Sequence, residues 1–436
     1  MSGPTHYTVS GIDENHLLYG NFIGLQYVFK QGLDAKVLTQ AIAILGSQFP
    51  ALSGRYSAKE VQAVGTGLPL ALKVQRGIGS VNDILRSLSR PQYVIEPKRK
   101  GVLRGRAPLS SFTLTKFENG GAILGVAVSH LLTDAAGFHI LMQHLGSLYS
   151  SLQSSGNPHA FPFTTQLGAF EFGTPRSKAD TLSYLKEREL PKPIPIKGLM
   201  GDLIKTLIIK AMDKSIHHNQ PIKIHFKPED ITRLKEAVLS QSGEDWISTN
   251  AALCAHFTSI MAKLSYGDDI KTEMQIGQLL DLRGRYFEAE SKQQSHFIGN
   301  AILIHIDKAA FPEGLQNTSR GVLARYFKQR QADTTADDVK DRLDLLADCL
   351  RHGYTNPELD VKNPIISLNN QSKMPVYEVS FGGQRPARIY PQDVGDNIMF
   401  FPAPDGGIDI YIRDIVNPGG QDKLLSPEWQ KRVFDF

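Results

Sequence analysis

A chain of 436 residues is too long for one small core and implies two or three globular domains. With 41% hydrophobic and 21% charged residues it falls among ordinary globular proteins, which excludes disordered, collagen-like and coiled-coil classes. A net charge of +4, from 48 basic and 44 acidic residues, is too small to imply a nucleic-acid partner, and Cys254 and Cys349 fit no C-x-x-C metal or redox spacing.

The first residues, MSGPTHYTVSGIDENHLL, lack a basic flank followed by an apolar core, and no apolar run approaches ~18 residues. Neither a signal peptide nor a membrane span is expected, and the chain reads as a cytoplasmic monomer. The run KRKGVLRGR gathers Lys98, Arg99, Lys100, Arg104 and Arg106. It reads as a solvated loop, with attraction of an anionic substrate as the alternative. In SSFTLTKF, Phe112 and Leu114 alternate with Thr113 and Thr115, the period of a half-buried strand. ENGG supplies a turn, and AILGVAV a second, more buried strand, so a hairpin delivers the chain to Ser129 and His130. From Phe138 to Leu152 apolar residues recur at helical spacing, with Thr133 or Asp134 as N-cap.

Between Ser154 and Met200, Pro158, Pro162, Pro175, Pro191, Pro193 and Pro195 break the periodic pattern, as expected of a connection between domains. Beyond it Ile222, Ile224 and Phe226 form a strand, PEDITRLKEAVL a helix, and STNAALCAHFTSIMAKL a second helix capped by Ser248. QLLDLRGRY and FIGNAILIHI read as strands. The expected class is α/β with mixed sheets (α+β in character), in two domains of similar size. They are placed at 1–190 and 211–436, with a crossover at 191–210 and part of 378–403 able to pack with the first domain.

The chain contains no G-x-S-x-G elbow, Walker A loop, H-E-x-x-H helix or G-x-G-x-x-G fingerprint. His130 has Asp134 four residues on, a spacing that thirteen histidines produce about once by chance. An imidazole at a strand end can act as a general base, though Asp134 could orient the ring only if both stood on one helix. His225 has Glu229 at the same distance and is expected on the solvent face of its strand, while His139 and His144 are expected at satisfied helix positions. No metal site is expected. Ser248 and Thr249 read as a helix cap, and the free N–H groups of that helix start also suit a phosphate.

Several separate segments, in order, resemble one family. ALSGRY, FTLTKFENGGAILGVAVSHLLTDAAG, STNAALCAHFTSIMAK, LLDLRGRY with FIGNAI, and MPVYEVSFGGQRP are similar to the landmarks of the BAHD superfamily of acyl-CoA-dependent acyltransferases. The resemblance implies two domains of the CoA-dependent acyltransferase type with a tunnel between them. It implies transfer of an acyl group from acyl-CoA, a co-substrate rather than a resident cofactor, to the hydroxyl or amine of a small molecule, with His130 as base and no acyl-enzyme. It also implies that Asp134 turns away and pairs with Arg283, and that Asn369 or Asn370 stands where relatives carry a hydroxyl residue near the thioester. Departures are Ala135 after the motif Asp, Gln371 at a position where relatives have tryptophan, and Ser380, Phe381, Gly382, Gly383, Gln384 in place of Asp-Phe-Gly-Trp-Gly. The altered motif motivates a second reading, a relative without activity that binds a ligand or protein. A condensation-type module is disfavoured because Ser129 occupies the place of its second histidine.

Overall fold

The structure, a computed structural model, describes residues 6–8, 21–57, 60–62, 70–86, 92–159, 173–191, 193–195, 221–267, 273–283, 296–360, 365–392, 398–413, 415 and 419–436. The chain divides into two compact units, and both are assembled from three separate stretches of sequence.

The first unit comprises Met1–Gly173, Asp281–Ile302 and Met374–Asp393. A small three-stranded sheet joins β1 (His6–Thr8), β3 (Arg55–Ser57) and β4 (Glu60–Gln62). The principal sheet has five strands in the order β12–β2–β7–β6–β5, from β2 (Phe22–Phe29), β5 (Leu72–Arg76), β6 (Ser110–Lys116), β7 (Ala122–Ser129) and β12 (Arg388–Pro391). β6 and β7 are the hairpin expected from FTLTKF and AILGVAV, closed through Gly120 at a positive φ of 84°. Register brings Phe22 opposite Ser129 and Ser110 opposite Val128, so the starts of β2 and β6 lie at the end of β7 from which His130 leaves.

The expectation of a half-buried β6 is corrected: Thr113 and Thr115 are as buried as Phe112 and Leu114. Thr115 accepts a hydrogen bond from Gln75 at 2.9 Å, and its face of the sheet is covered by a cluster that includes Val28, Ile123, Val81 of α2 (Val81–Arg86) and Tyr93. On the other face, Phe29 meets Phe381, which meets Tyr149 of α4 (Ala135–Ser155) in edge-on ring contacts. α1 (Ala35–Gln48), capped by the Asp34 carboxylate on the N–H groups of Lys36 and Val37, packs on α4. The basic run is not a plain loop, since Arg99–Leu103 forms a short helix, α3.

The segment that departs most from the family pattern is a tight turn. Phe381 and Gln384 exchange backbone hydrogen bonds of 2.9 and 3.1 Å around Gly382 (φ 62°) and Gly383 (φ 78°), the two left-handed positions that such a turn demands. Gln384 accepts from the Gln31 N–H at 2.9 Å, and the Ser150 hydroxyl of α4 accepts from the Gly382 N–H at 2.8 Å. His139 and His144 are buried on α4. His144 Nε2 meets Gln48 at 2.6 Å, but among the described residues His139 has no hydrogen-bond partner on either nitrogen, a correction to the satisfied position expected. Burial holds both rings neutral, with pKa values lowered to about 4.

The second unit comprises Thr174–Leu280, Leu303–Lys373 and Val394–Phe436. Its six-stranded sheet has the order β10–β9–β11–β13–β14–β8, from β8 (Ile222–Phe226), β9 (Glu273–Asp281), β10 (Ile302–Ala310), β11 (Ile365–Asn370), β13 (Ile398–Pro402) and β14 (Ile408–Ile412). β9, β11 and β13 run parallel, and β13, β14 and β8 antiparallel, so the sheet is mixed as expected. α5 (Lys178–Glu187) belongs here because Arg188 pairs with Asp341 at 2.8 Å and Tyr184 donates to the same carboxylate at 2.6 Å. The core gathers α6 (Pro228–Ser242) and the almost wholly buried α7 (Thr249–Tyr266) against the sheet. His225 is not simply solvent-facing: its ring spans Asp409 and Asp405 at 2.9 Å each, and Glu229 takes no part.

The expected division differs from these units at 174–190, which belong to the second, and at 281–302, which join the first, while 374–393 join the first as allowed for part of 378–403. Of the crossover expected at 191–210, residues 192 and 196–210 lie outside the described residues. Gly146 of α4 faces the Ser380 carbonyl so closely that a Cβ there would collide with backbone. Gly146→Ala is expected to cost about 1–3 kcal/mol of stability, read as a lower midpoint in chemical denaturation, because that backbone cannot rotate aside.

Candidate active site

Why the chain turns at SHLLTDAAG follows from its hydrogen bonds. The last β7 residue, Ser129, gives its N–H to Leu109 O at 2.7 Å, and His130 gives its N–H to Asn21 O at 2.9 Å. Asp134 then caps α4, with Oδ1 accepting from the Gly137 N–H at 2.8 Å, while the Thr133 hydroxyl donates to Ile298 O at 2.7 Å. Of the two N-cap candidates the acid takes the role, where the positive end of the helix dipole favours it.

Asp134 points away from His130. Its Oδ2 accepts from Arg283 Nη1 at 2.8 Å and from the Ala301 N–H at 2.7 Å. Arg283 also donates to Gly299 O at 2.6 Å, Phe297 O at 3.2 Å and Asp281 at 3.2 Å. Desolvation works against the guanidinium charge, but Asp134 and Asp281 outweigh it and raise the Arg283 pKa above its ordinary value. These bonds explain why FIGNAILIHI does not form a strand from its start. The backbone groups of residues 297–301 serve Arg283, Asp134 and Thr133, and β10 begins only at Ile302. The strand expected over QLLDLRGRY ends at Asp281, and residues 284–286 lie outside the described residues.

Asn300, in the FIGNA stretch, is a residue of the candidate site that single-sequence reasoning did not single out. Its Nδ2 donates to the His130 carbonyl at 2.8 Å, and its Oδ1 lies 3.1 Å from His130 Nδ1. Since a carbonyl oxygen accepts only, the amide orientation is settled, and Oδ1 must face a donor. His130 is therefore protonated at Nδ1, and the lone pair is on Nε2, to which no described residue bonds. Burial lowers the pKa of this half-buried ring, against the opposing pull of its backbone hydrogen bond, Asp134 and Asn300. The result is a neutral imidazole, held by one nitrogen and open at the other.

In the second unit the structure brings together two candidate regions distant in sequence. Ser248 caps α7, accepting from the Ala251 N–H at 3.0 Å, and Thr249 begins the helix. Asn370, the last residue of β11, donates to Asn250 Oδ1 at 2.7 Å and accepts from the Ser372 N–H at 2.9 Å. Asn369 accepts from Gln371 Nε2 at 3.3 Å. The helix start and the end of a parallel strand thus form one polar patch at the carboxyl edge of the sheet, the usual ligand side of such sheets. No group of three or more potential metal ligands occurs among the described residues.

Residues 91–413, most of the chain, match the Transferase family. The chain belongs to that family, the BAHD acyltransferases. Its fold is shared with TRI101 of F. sporotrichioides, solved with coenzyme A and T-2, at 16% identity, a TM-score of 0.70 and 98% coverage of both chains. Vinorine synthase matches at 14% identity and a TM-score of 0.63, over 97% of this chain and 94% of that one. The first condensation domain of the calcium-dependent antibiotic synthetase matches at 13% identity and a TM-score of 0.61, over 99% and 96%. No curated protein matches the sequence.

Asp134 and Arg283 are both buried, at 1% and 8% side-chain exposure, so removing either leaves a desolvated charge without its partner. Asp134→Asn and Arg283→Met are each expected to cost about 3–5 kcal/mol, and the double variant clearly less than their sum. Urea unfolding of the four proteins measures this, and additivity would show that the pair is not an energetic unit.

Proposed function

We propose that the protein moves an acyl group from acyl-CoA to a hydroxyl or amine of a small molecule, with His130 as general base. The observation that carries this reading is the open Nε2 of a ring whose Nδ1–H is committed to Asn300. In the proposed reaction Nε2 takes the acceptor's proton as its oxygen or nitrogen attacks the thioester carbonyl. The C–S bond then breaks, and the imidazolium returns the proton to the departing thiolate. A cysteine nucleophile is disfavoured, because burial raises both Cys254 and Cys349 to about 12, far from a reactive thiolate. Asp134 and Arg283 act as positioning residues, holding 297–301 and hence Asn300 against His130.

Coenzyme A as the acyl carrier is supported by family membership and by the coenzyme A bound in the TRI101 structures. Ser248 and Thr249 are proposed to meet one of its phosphates through the N–H groups at the start of α7. Asn369 or Asn370, at the end of β11, is proposed as amide donor toward the thioester carbonyl. The altered 380–384 segment, which motivates a binding-only reading, is bonded to Gln31 and Ser150 rather than to the His130 junction, and its change leaves the base and its support in place.

His130→Ala is expected to lower free-thiol release from acyl-CoA in the presence of acceptor by about 10²–10⁴-fold while the protein still melts cooperatively. Asn300→Asp places a carboxylate beside Nδ1, stabilises the imidazolium, and is expected to move the acid limb of the pH–rate profile to higher pH. An unmoved limb would mean that another group titrates. A Ser248→Ala, Thr249→Ala variant is expected to raise the KM for acyl-CoA with little change in acceptor KM, because a remote phosphate contact contributes uniform binding. A melting curve beside the kinetics separates this from loss of the helix cap, and an unchanged acyl-CoA KM removes both residues from the CoA site.

A further inference from the structure

The basic run 98–106 is carried to the end of the sheet from which His130 emerges. On the way in, residues 93–96 cross one face of the first unit's main sheet. The Tyr93 N–H donates to Gln26 Oε1 at 2.7 Å, and the Tyr93 carbonyl lies where a Cβ on Gly125 would be. Further along, the Glu96 carboxylate reaches Gly24, which pairs with Ala127. The path runs from the level of Gly125 toward that of Ser129. On the way out, Leu109 O accepts from the Ser129 N–H at 2.7 Å, and Ser110 pairs with Val128. Three residue steps separate Arg106 from Leu109, a reach of at most about 10 Å.

Between these anchors the backbone is closed on itself. Gly105 N–H donates to Val102 O and Arg106 N–H to Gly101 O, both at 2.8 Å, the pair of bonds that terminates a helix through a left-handed residue. Gly105 supplies that residue, with φ 66°, and packs so tightly on Tyr56 O that a Cβ would lie 2.7 Å from it. Val102 is fully buried beneath. On this rigid turn Lys98, Lys100, Arg104 and Arg106 are exposed, and among the described residues none of their side chains makes an ion pair or hydrogen bond. Glu96, an acid two residues before the run, is turned back toward Gly24. Four uncompensated cations on a fixed backbone repel one another and do nothing for the fold, whereas together they attract an anion.

We propose that this turn is an anion-binding subsite for a carboxylate or phosphate carried by the acceptor, a proposal that rests on the transferase reading of His130. The acceptor must bring its nucleophile to His130 Nε2, and the turn joins, within three residues, Leu109, whose carbonyl accepts from the Ser129 N–H beside His130. The phosphates of CoA are the other anions of the reaction, but their proposed contact is the start of α7, in the second unit.

The test compares the full-length protein with a variant in which Lys98, Lys100, Arg104 and Arg106 are all Gln, and with the milder Arg104→Gln, Arg106→Gln. Hydroxy acids of graded length and their methyl esters, and phosphate monoesters of diols beside the parent diols, are titrated calorimetrically into each. The wild type is expected to bind the anionic members about tenfold more tightly than their neutral partners, as a charged hydrogen bond contributes. That preference should weaken in high salt, shrink in the double variant and vanish in the quadruple, with melting curves unchanged. Equal binding of charged and neutral members by the wild type, or a preference that survives in both variants, overturns the proposal. So does an unaltered preference accompanied by a higher acyl-CoA KM in the quadruple variant, which assigns the turn to CoA. Titration needs no turnover, so failure of every panel member to release thiol from acyl-CoA would count against the transferase reading alone.

Discussion

The carboxylate of Asp134 is the group on which the junction depends. It is almost completely buried, and three donors neutralise that cost: the Gly137 N–H at the helix start, the Arg283 guanidinium and the Ala301 N–H. One carboxylate thereby joins the end of a strand, the first turn of α4 and the stretch 297–301 that arrives from far along the chain. A buried ion pair contributes little net stability against an apolar alternative, but breaking one is costly, so such a group specifies one arrangement over others. Gly137 makes the approach possible, since a Cβ there would strike the Ile298 carbonyl.

From that arrangement the chemistry follows at one remove. Holding 297–301 in place sets Asn300, and Asn300 sets the His130 tautomer through two hydrogen bonds. Among the described residues the ring is held at Nδ1 by the Asn300 amide, and none bonds its Nε2. Burial biases the ring toward the neutral form while the nearby acid moderates that bias, as the proposed role of general base requires. The acid of His-x-x-x-Asp therefore contributes through position rather than through direct contact with the ring.

The second unit uses different physics for its part. At the carboxyl edge of its parallel strands Asn370 bridges the end of β11 to the start of α7. In the first unit the 380–384 segment closes a tight turn. Two glycines in left-handed conformations close the turn, and Phe381 fills the space between Phe29 and Tyr149.

The sequence by itself determined the local elements. Alternation and an Asn-Gly turn specified β6 and β7, helical spacing specified α4, and Ser248 before an apolar run specified the cap of α7, because these depend on neighbours in the chain. Ordered motifs along most of the chain were enough to place it in its family. Tertiary structure decided what depends on residues brought together from afar. Thr113 and Thr115 are buried because residues from elsewhere in the chain cover their face, and no local period records that cover. Residues 297–301 give up strand pairing because their backbone groups bind side chains more than a hundred residues earlier. Asn300 was invisible for the same reason: an amide 170 positions from His130 carries no sign in a single sequence that it will hold that ring.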